Sequence, residues 1–308
     1  MFWGNKRYHT LNYYYRNIFG EKVFKVSLDA GFTCPNRDGR VAVGGCIFCS
    51  SRGSGDFAGN RKLDLKQQFR IVKEKMHQKW PKAKYIGYFQ AYTNTYAPVK
   101  ELKEMYEIVL GEEDVVGLSI ATRPDCLPDD VLDLLEGINT KTKLWVELGL
   151  QTIHEDTQQL INRAHDYQTF LDGVNKLRER DINVIVHIIV NLPGESLEGM
   201  METAQAVAHL PVQGVKIHML HLLKKTPMMK LYKEGNLKFM SREEYIKLVA
   251  DILEILPPEM VIHRLTGDAP RELIVAPLWT LKKWEVLNAI DKELESRDSW
   301  QGKFFKEN

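Results

Sequence analysis

The chain has 308 residues, 44% of them hydrophobic, and its 42 Lys and Arg nearly cancel 41 Asp and Glu, for a net charge of +1 at pH 7. That length buries a large core as one barrel-sized domain with modest additions, and the balanced charge excludes a global basic field of the kind that recruits nucleic acid over a whole surface. No apolar run approaches the roughly 18–20 residues that span a bilayer, and the opening MFWGNKRYHT carries no apolar h-region, so the expectation is a soluble, cytoplasmic chain without a signal peptide.

Residues 1–20 read as an aromatic and basic arm, with Trp3, Lys6, Arg7, Tyr8, Tyr13, Tyr14, Tyr15 and Arg16. Such an arm suits phosphate contacts and base stacking, or aromatic packing against the body of the protein. Strand-like runs follow at 22–29, 84–89, 115–120, 144–150, 182–190 and 214–222; they are β-branched or continuously apolar, as strands covered on both faces are. Helical stretches lie between them. Pro98 opens one that closes near Gly111, Pro128 opens another that closes near Gly137, and Ser196 is an N-cap after Pro193-Gly194. This alternation predicts an α/β parallel sheet of barrel type over residues 21–235. Residues 236–308 form a small C-terminal α/β extension: a capping box at Ser241 and Glu244, a stop at Pro257-Pro258, a strand at 261–265, the loop TGDAPRE, and a charge-balanced helical tail from about 277.

Cys34, Cys46 and Cys49 stand directly after the first strand, in TCPNRDGRVAVGGCIFCS. A Cys-x-x-Cys pair with a third cysteine upstream presents three thiolates to a soft metal centre. Three thiolates hold three irons of a [4Fe-4S] cluster and leave the fourth iron open. The plain alternative is zinc completed by Cys126 or a histidine; a disulfide is disfavoured in a reducing compartment. In a parallel barrel, groups at the C-terminal ends of strands share one mouth. That rule selects Gln90, Thr93, Asn94 and Thr95 after the second strand, Arg123 after the third, and Glu147 and Gln151 on the fourth, with Arg163 on the following helix. It also selects His187, Asn191 and Pro193 from the fifth and His218 and His221 from the sixth. Each has a plain alternative: loop packing for Thr93, Asn94 and Thr95, a surface arginine for Arg163, a core histidine for His187, a small buried residue for Cys126. Glu147 needs a partner if its apolar strand buries it.

Taken together these motifs resemble the radical S-adenosylmethionine (radical SAM) superfamily. Phe48 before the last cysteine belongs to that motif, and the eleven residues between Cys34 and Cys46 resemble the branch containing the catalytic subunit of Elongator. Thr122-Arg123-Pro124-Asp125, the Asn162-Arg163 pair twelve residues beyond Gln151, and Leu192-Pro193-Gly194 fit the same branch; Ala121 stands where relatives often carry glutamate. The Tyr13-Tyr14-Tyr15 and Ala276-Pro277-Leu278-Trp279 segments look like the YtqA/YhcC group of bacterial radical SAM proteins. The resemblance implies a partial (β/α)6 TIM-like barrel. It implies a [4Fe-4S] cluster on Cys34, Cys46 and Cys49, and S-adenosylmethionine cleaved by one electron to a 5′-deoxyadenosyl radical. The segment containing Gln90, Thr93, Asn94 and Thr95 is then a site for the cofactor's amino group. Gln151 would contact its ribose, Arg163 its carboxylate, and His187, Asn191 and Pro193 the adenine side, with Glu147 facing the mouth. His218, His221 and Arg123 are catalytic candidates. An external one-electron donor of flavodoxin or ferredoxin type is implied, and tRNA, at the C5 side chain of a wobble uridine, is the first substrate reading. A small metabolite or tetrapyrrole precursor is the second. A non-catalytic metal-binding protein is the third.

Overall fold

The protein is described from a computed structural model covering residues 2–307. Helix α1 (Leu11–Phe19) is capped by the Thr10 hydroxyl, which accepts from the Tyr13 amide, and ends at Gly20 in the left-handed conformation that glycine adopts without cost. Strand β1 (Val23–Leu28) leads through the long cysteine loop to α2 (Leu65–Lys79) and β2 (Lys84–Phe89). Then follow α3 (Val99–Leu110), β3 (Val115–Thr122), α4 (Asp129–Asn139), β4 (Lys143–Gln151), α5 (Glu155–Leu160) and α6 (Tyr167–Arg178). Next come β5 (Asn183–Val190), α7 (Leu197–Ala208), β6 (Gly214–Met219), β7 (Leu222–Leu223) and α8 (Met228–Lys233). The chain closes with α9 (Arg242–Ile255), β8 (Val261–Arg264), β9 (Ile274–Ala276), a 3₁₀ turn over Leu278–Leu281, and α10 (Lys283–Ser296). Pro98 and Pro128 sit at the N-caps of α3 and α4, Ser196 caps α7, and Ser241 with Glu244 forms the capping box of α9.

The main sheet runs β1-β2-β3-β4-β5-β6-β8, every neighbouring pair parallel, with the helices packed outside it. The fold is the expected TIM-like open barrel with one difference. It has seven strands where six were expected, because β8, from the region read as an extension, pairs with β6 through Gly214↔Val261 and Val215↔Ile262. The strand itself is the one expected at 261–265; local pattern shows that it exists, and only closure of the barrel gives it β6 as a neighbour.

The arm also differs from the tRNA-facing reading. Helix α1 lies beneath the barrel, where Tyr15 is buried with Val23, Ile86, Trp145 and Ile185 near the N-terminal ends of their strands; its ring meets Trp145 edge-on at 5.6 Å. Lys6 is paired with Asp291 and Arg7 with Asp298, both in or just after α10. The His9 carbonyl accepts from the Ile262 amide at 2.8 Å, and the Arg7 carbonyl accepts from the Gln301 amide at 2.9 Å. The arm is therefore a floor, at the end opposite the cysteines. No helix among the described residues is long and apolar enough to cross a membrane.

Candidate active site

The cysteine loop is built against the segment that follows α5. The Asn162 side-chain amide donates to the Gly45 carbonyl at 2.8 Å, and the Asn36 amide donates to the Asn162 carbonyl at 2.7 Å. The Ile47 amide donates to the Ile161 carbonyl at 3.0 Å. Glycines 39, 44 and 45 adopt positive φ, which lets eleven residues fold back and return Cys46 to Cys34. All three thiols line one cavity at the C-terminal ends of the strands. Arg163 is buried beside them: one guanidinium nitrogen donates to the Gly149 carbonyl at 2.5 Å, another approaches the Cys46 sulfur at 3.7 Å, and Nε has no protein partner among the described residues. A Cβ at Gly149 would come within 2.7 Å of that guanidinium, so the strand needs glycine there for the arginine to pass. The surface-arginine alternative is thereby removed. The hydrogen bond within the Cys46–Cys49 pair draws the Cys46 thiol down to about 5, helped by Arg163 and Arg123, while pushing Cys49 well up. A thiolate held in this way is a metal ligand in waiting.

Deeper in the barrel, one carboxylate organises four side chains. Glu147 on β4 accepts from Lys25 on β1 and Ser119 on β3, each at 2.6 Å, from His187 on β5 at 2.7 Å, and from Lys216 on β6. These residues meet because β1, β3, β4, β5 and β6 curl around a common interior; β5–β6 pairing sets His187 opposite Lys216. Burial pushes Glu147 up, but Lys216, Lys25 and His187 outweigh it and hold the carboxyl well below its ordinary value. One carboxylate cannot stabilise two buried ammonium ions equally. Burial pushes Lys216 down to about 7 against the pull of Glu147, with Lys25 adding to the fall, and its amine also donates to the Tyr88 hydroxyl at 3.0 Å. Lys216 is thus able to give or take a proton near neutral pH at the edge of the cavity.

The cavity brings together Gln90, Thr93, Arg123, Glu147, Gln151, Arg163, His187, His218 and His221 with the three cysteines. Other candidates stand elsewhere. Asn94 is fully buried and spends its amide on the Phe89 and Ala121 carbonyls, and the Thr95 hydroxyl serves Thr122 and the Cys126 carbonyl; both brace the loop rather than face the opening. Asn191 and Pro193 line a separate hollow, where Asn191 clamps the Lys238 carbonyl and the Met240 amide. Arg123 touches the cavity, but its donors are taken by a bidentate pair with Asp125 and by the Arg163 and Ala164 carbonyls, which makes it a strut. His187 spends Nε2 on Glu147, and Glu147 is in turn enclosed by its four donors. Burial lowers His221 to about 4 and takes His218 well below its ordinary value, so the fold favours the neutral imidazole at both. Cys126 lies outside the cavity lining, against Asp125 at 3.8 Å, with burial pushing its thiol up to about 12; it does not complete a zinc site. Sequence reasoning missed Lys25, Lys216, Tyr88 and Arg264, which also line or support the interior. A lysine in the middle of an apolar strand was the available signal for the first two.

Three thiols lining one cavity, one drawn toward thiolate, and a buried guanidinium with an orphaned nitrogen are the chemistry that an anionic metal–sulfur cluster on Cys34, Cys46 and Cys49 would use, although among the described residues no three ligating side chains stand together as a metal-binding group. Gln90, Thr93, Gln151 and Arg163 border the space beside it. A match to the radical SAM superfamily covers residues 34–207, and a match to a radical SAM C-terminal domain covers 212–296. The chain is 64% identical to an uncharacterized protein, YtqA, of Bacillus subtilis over 301 residues, 98% of this chain and 94% of that one. It is 28% identical to Elongator complex protein 3 of Homo sapiens over 163 residues, 52% of this chain and 29% of that one. The fold matches the archaeal Methanocaldococcus infernus Elp3 with a TM-score of 0.70 at 18% identity, covering 91% of this chain and 64% of that one. Members of the superfamily use a [4Fe-4S] cluster and S-adenosylmethionine, which together supply one-electron cleavage of a sulfonium and a carbon-centred hydrogen abstractor. With thiols, strand-end polar groups and barrel in the same order, this chain belongs to the radical SAM superfamily of enzymes.

Proposed function

We propose that the chain applies this radical chemistry to tRNA, at the C5 side chain of a wobble uridine. The likeness to Elongator complex protein 3 over 163 residues is the observation that supports the reading. The cavity agrees with it. Its volume is about 300 Å³, and it opens to solvent at the mouth. Pockets for one small ligand run to roughly 300–1,000 Å³, so a cofactor near the cysteines would fill the hollow and a nucleoside swung out of an anticodon loop would meet it at the open mouth. His218 and His221 line the inner wall, with Nε2 of each buried and without a protein partner among the described residues, so a shift of either ring would be needed to present that nitrogen to a ligand. Neutral imidazoles of this kind can pair with the edge of a pyrimidine ring.

Two measurements follow from this reading. Nucleosides of total tRNA from cells with and without the gene should differ at a wobble uridine, by loss of a modified form or accumulation of its precursor. An unaltered profile would transfer the reading to a small-molecule substrate. Separately, Arg163→Ala should weaken S-adenosylmethionine binding ten- to hundredfold in the anaerobically reconstituted protein, the loss of one charge-assisted pair being about 1.5–3 kcal/mol. Unchanged affinity would leave Arg163 with the Cys46 sulfur and the Gly149 carbonyl as its whole role.

A further inference from the structure

Charge in this chain is segregated in a way the net value conceals. Residues 37–62, the cysteine loop, and 222–238, the segment around β7 and α8, hold ten of the 42 Lys and Arg but three of the 41 Asp and Glu. These two stretches therefore carry +7, and the rest of the chain carries −6. They are one surface. The Met228 amide donates to the Ile47 carbonyl at 3.2 Å, and Ile47 and Phe48 pack on the cluster of Leu220, Leu222 and Met228. Both stretches line the mouth of the cavity, through Arg37 to Phe57 on one side and Leu223 on the other.

Arg61 pairs with Asp29 and Lys230 with Glu234, but most cations of this rim have no carboxylate partner among the described residues. Arg40, Arg52, Lys62, Lys225, Lys233 and Lys238 are exposed and, among the described residues, have no carboxylate within ion-pair distance. The arm is the reverse case, with Lys6 and Arg7 tied to Asp291 and Asp298. Holding that many like charges together unpaired costs self-repulsion, which a polyanion would relieve. Aromatic surface accompanies the charge: Phe57 is 55% exposed at the mouth and Tyr232 is 39% exposed on α8. Alternating cations and exposed rings around an open cavity match single-stranded RNA, whose phosphates need neutralising and whose unstacked bases need a platform.

We infer that the rim formed by the cysteine loop and the β7–α8 segment is the RNA-docking face, and that the N-terminal arm is not. This rests on the tRNA reading above and assigns its contact surface. The test is the triple variant K225Q/K233Q/K238Q, whose residues lie outside the cysteine and barrel-interior sites. Binding of tRNA purified from cells lacking the gene is followed by fluorescence anisotropy through a salt series. The variant should bind at least about tenfold more weakly, with the slope of log affinity against log salt shallower by roughly 2–3, since each lost phosphate contact removes about 0.7–0.9. The all-arginine version, K225R/K233R/K238R, should bind as the wild type does, and RNA-free cleavage of S-adenosylmethionine should be unchanged in both. Wild-type affinity and slope in the glutamine variant would overturn the assignment. So would intact tRNA binding combined with slower cluster reduction by an acidic one-electron donor protein, which would make the rim that protein's dock. If the wild type itself binds no tRNA, the substrate reading falls and the rim assignment falls with it.

Discussion

Cys46→Ala is expected to abolish the brown iron–sulfur chromophore of the anaerobically reconstituted protein. Of the three thiols, Cys46 is the most deeply held: it is 5% exposed, takes the Asn36 amide at 3.5 Å and lies against the Arg163 guanidinium. Its removal leaves two thiolates for a cluster that needs three from the chain, and leaves Arg163 buried without an anion. Iron content and visible absorption read the result directly, with circular dichroism to show that the barrel persists. Wild-type protein that took up stoichiometric zinc and developed no iron–sulfur absorption under the same conditions would refute the cluster assignment.

Glu147→Gln should produce the largest loss of stability. The side chain is fully buried and is the counter-charge to both Lys25 and Lys216. Removing one member of a buried ionic group costs about 3–5 kcal/mol, because the partners remain buried and unpaired; for a domain of this size that lowers Tm by roughly 6–20 °C. Adding Lys216→Met to the variant should recover much of the loss, since one stranded ammonium ion is then gone. The pH dependence carries a sign. Glu147 ionises more readily in the folded chain than in the unfolded one, so its contribution is present above its ordinary value of 4.5 and disappears as pH falls through the depressed value. The wild type should therefore lose stability steeply in that acid window, and the glutamine variant should lack that component. Equal acid limbs in the two proteins, or a fall in Tm of less than a few degrees, would show that the lysines find another partner.

What could be read from sequence follows distance along the chain. The cysteine loop is local, and its residues, gap and glycines are all visible within sixteen positions. Strand-end candidates were visible as a group, but a loop exposes only some of its side chains: Thr93 faces the cavity while Asn94 and Thr95 turn inward. Glu147 announced that it needed a partner, yet Lys25 is 122 positions away and Lys216 is 69. Register within single strands cannot reveal such meetings; closure of the barrel makes them. The two readings of the arm could not be separated for the same reason, because the acids that neutralise Lys6 and Arg7 are 285 and 291 positions downstream. Composition showed a basic segment, and only the fold showed that Lys6 and Arg7 were already paired.

The floor beneath the barrel has a further consequence for how the chain reaches its native state. Residues 7–10 bridge to β8 and to Gln301, whose side chain in turn holds the Pro257 and Met260 carbonyls at 2.7 and 2.8 Å. This seam joins early and late segments of the chain, so it forms only after nearly everything between them is in place. Its loop-closure entropy cannot be recovered by any local contact. The βα units from β1 to β6 can zip in order during synthesis, whereas sealing the underside must wait for the last helix. Until then the face of Trp145 and Ile185 stays wet, and a nascent chain in that state offers chaperones a hydrophobic hole at the end away from the future catalytic mouth.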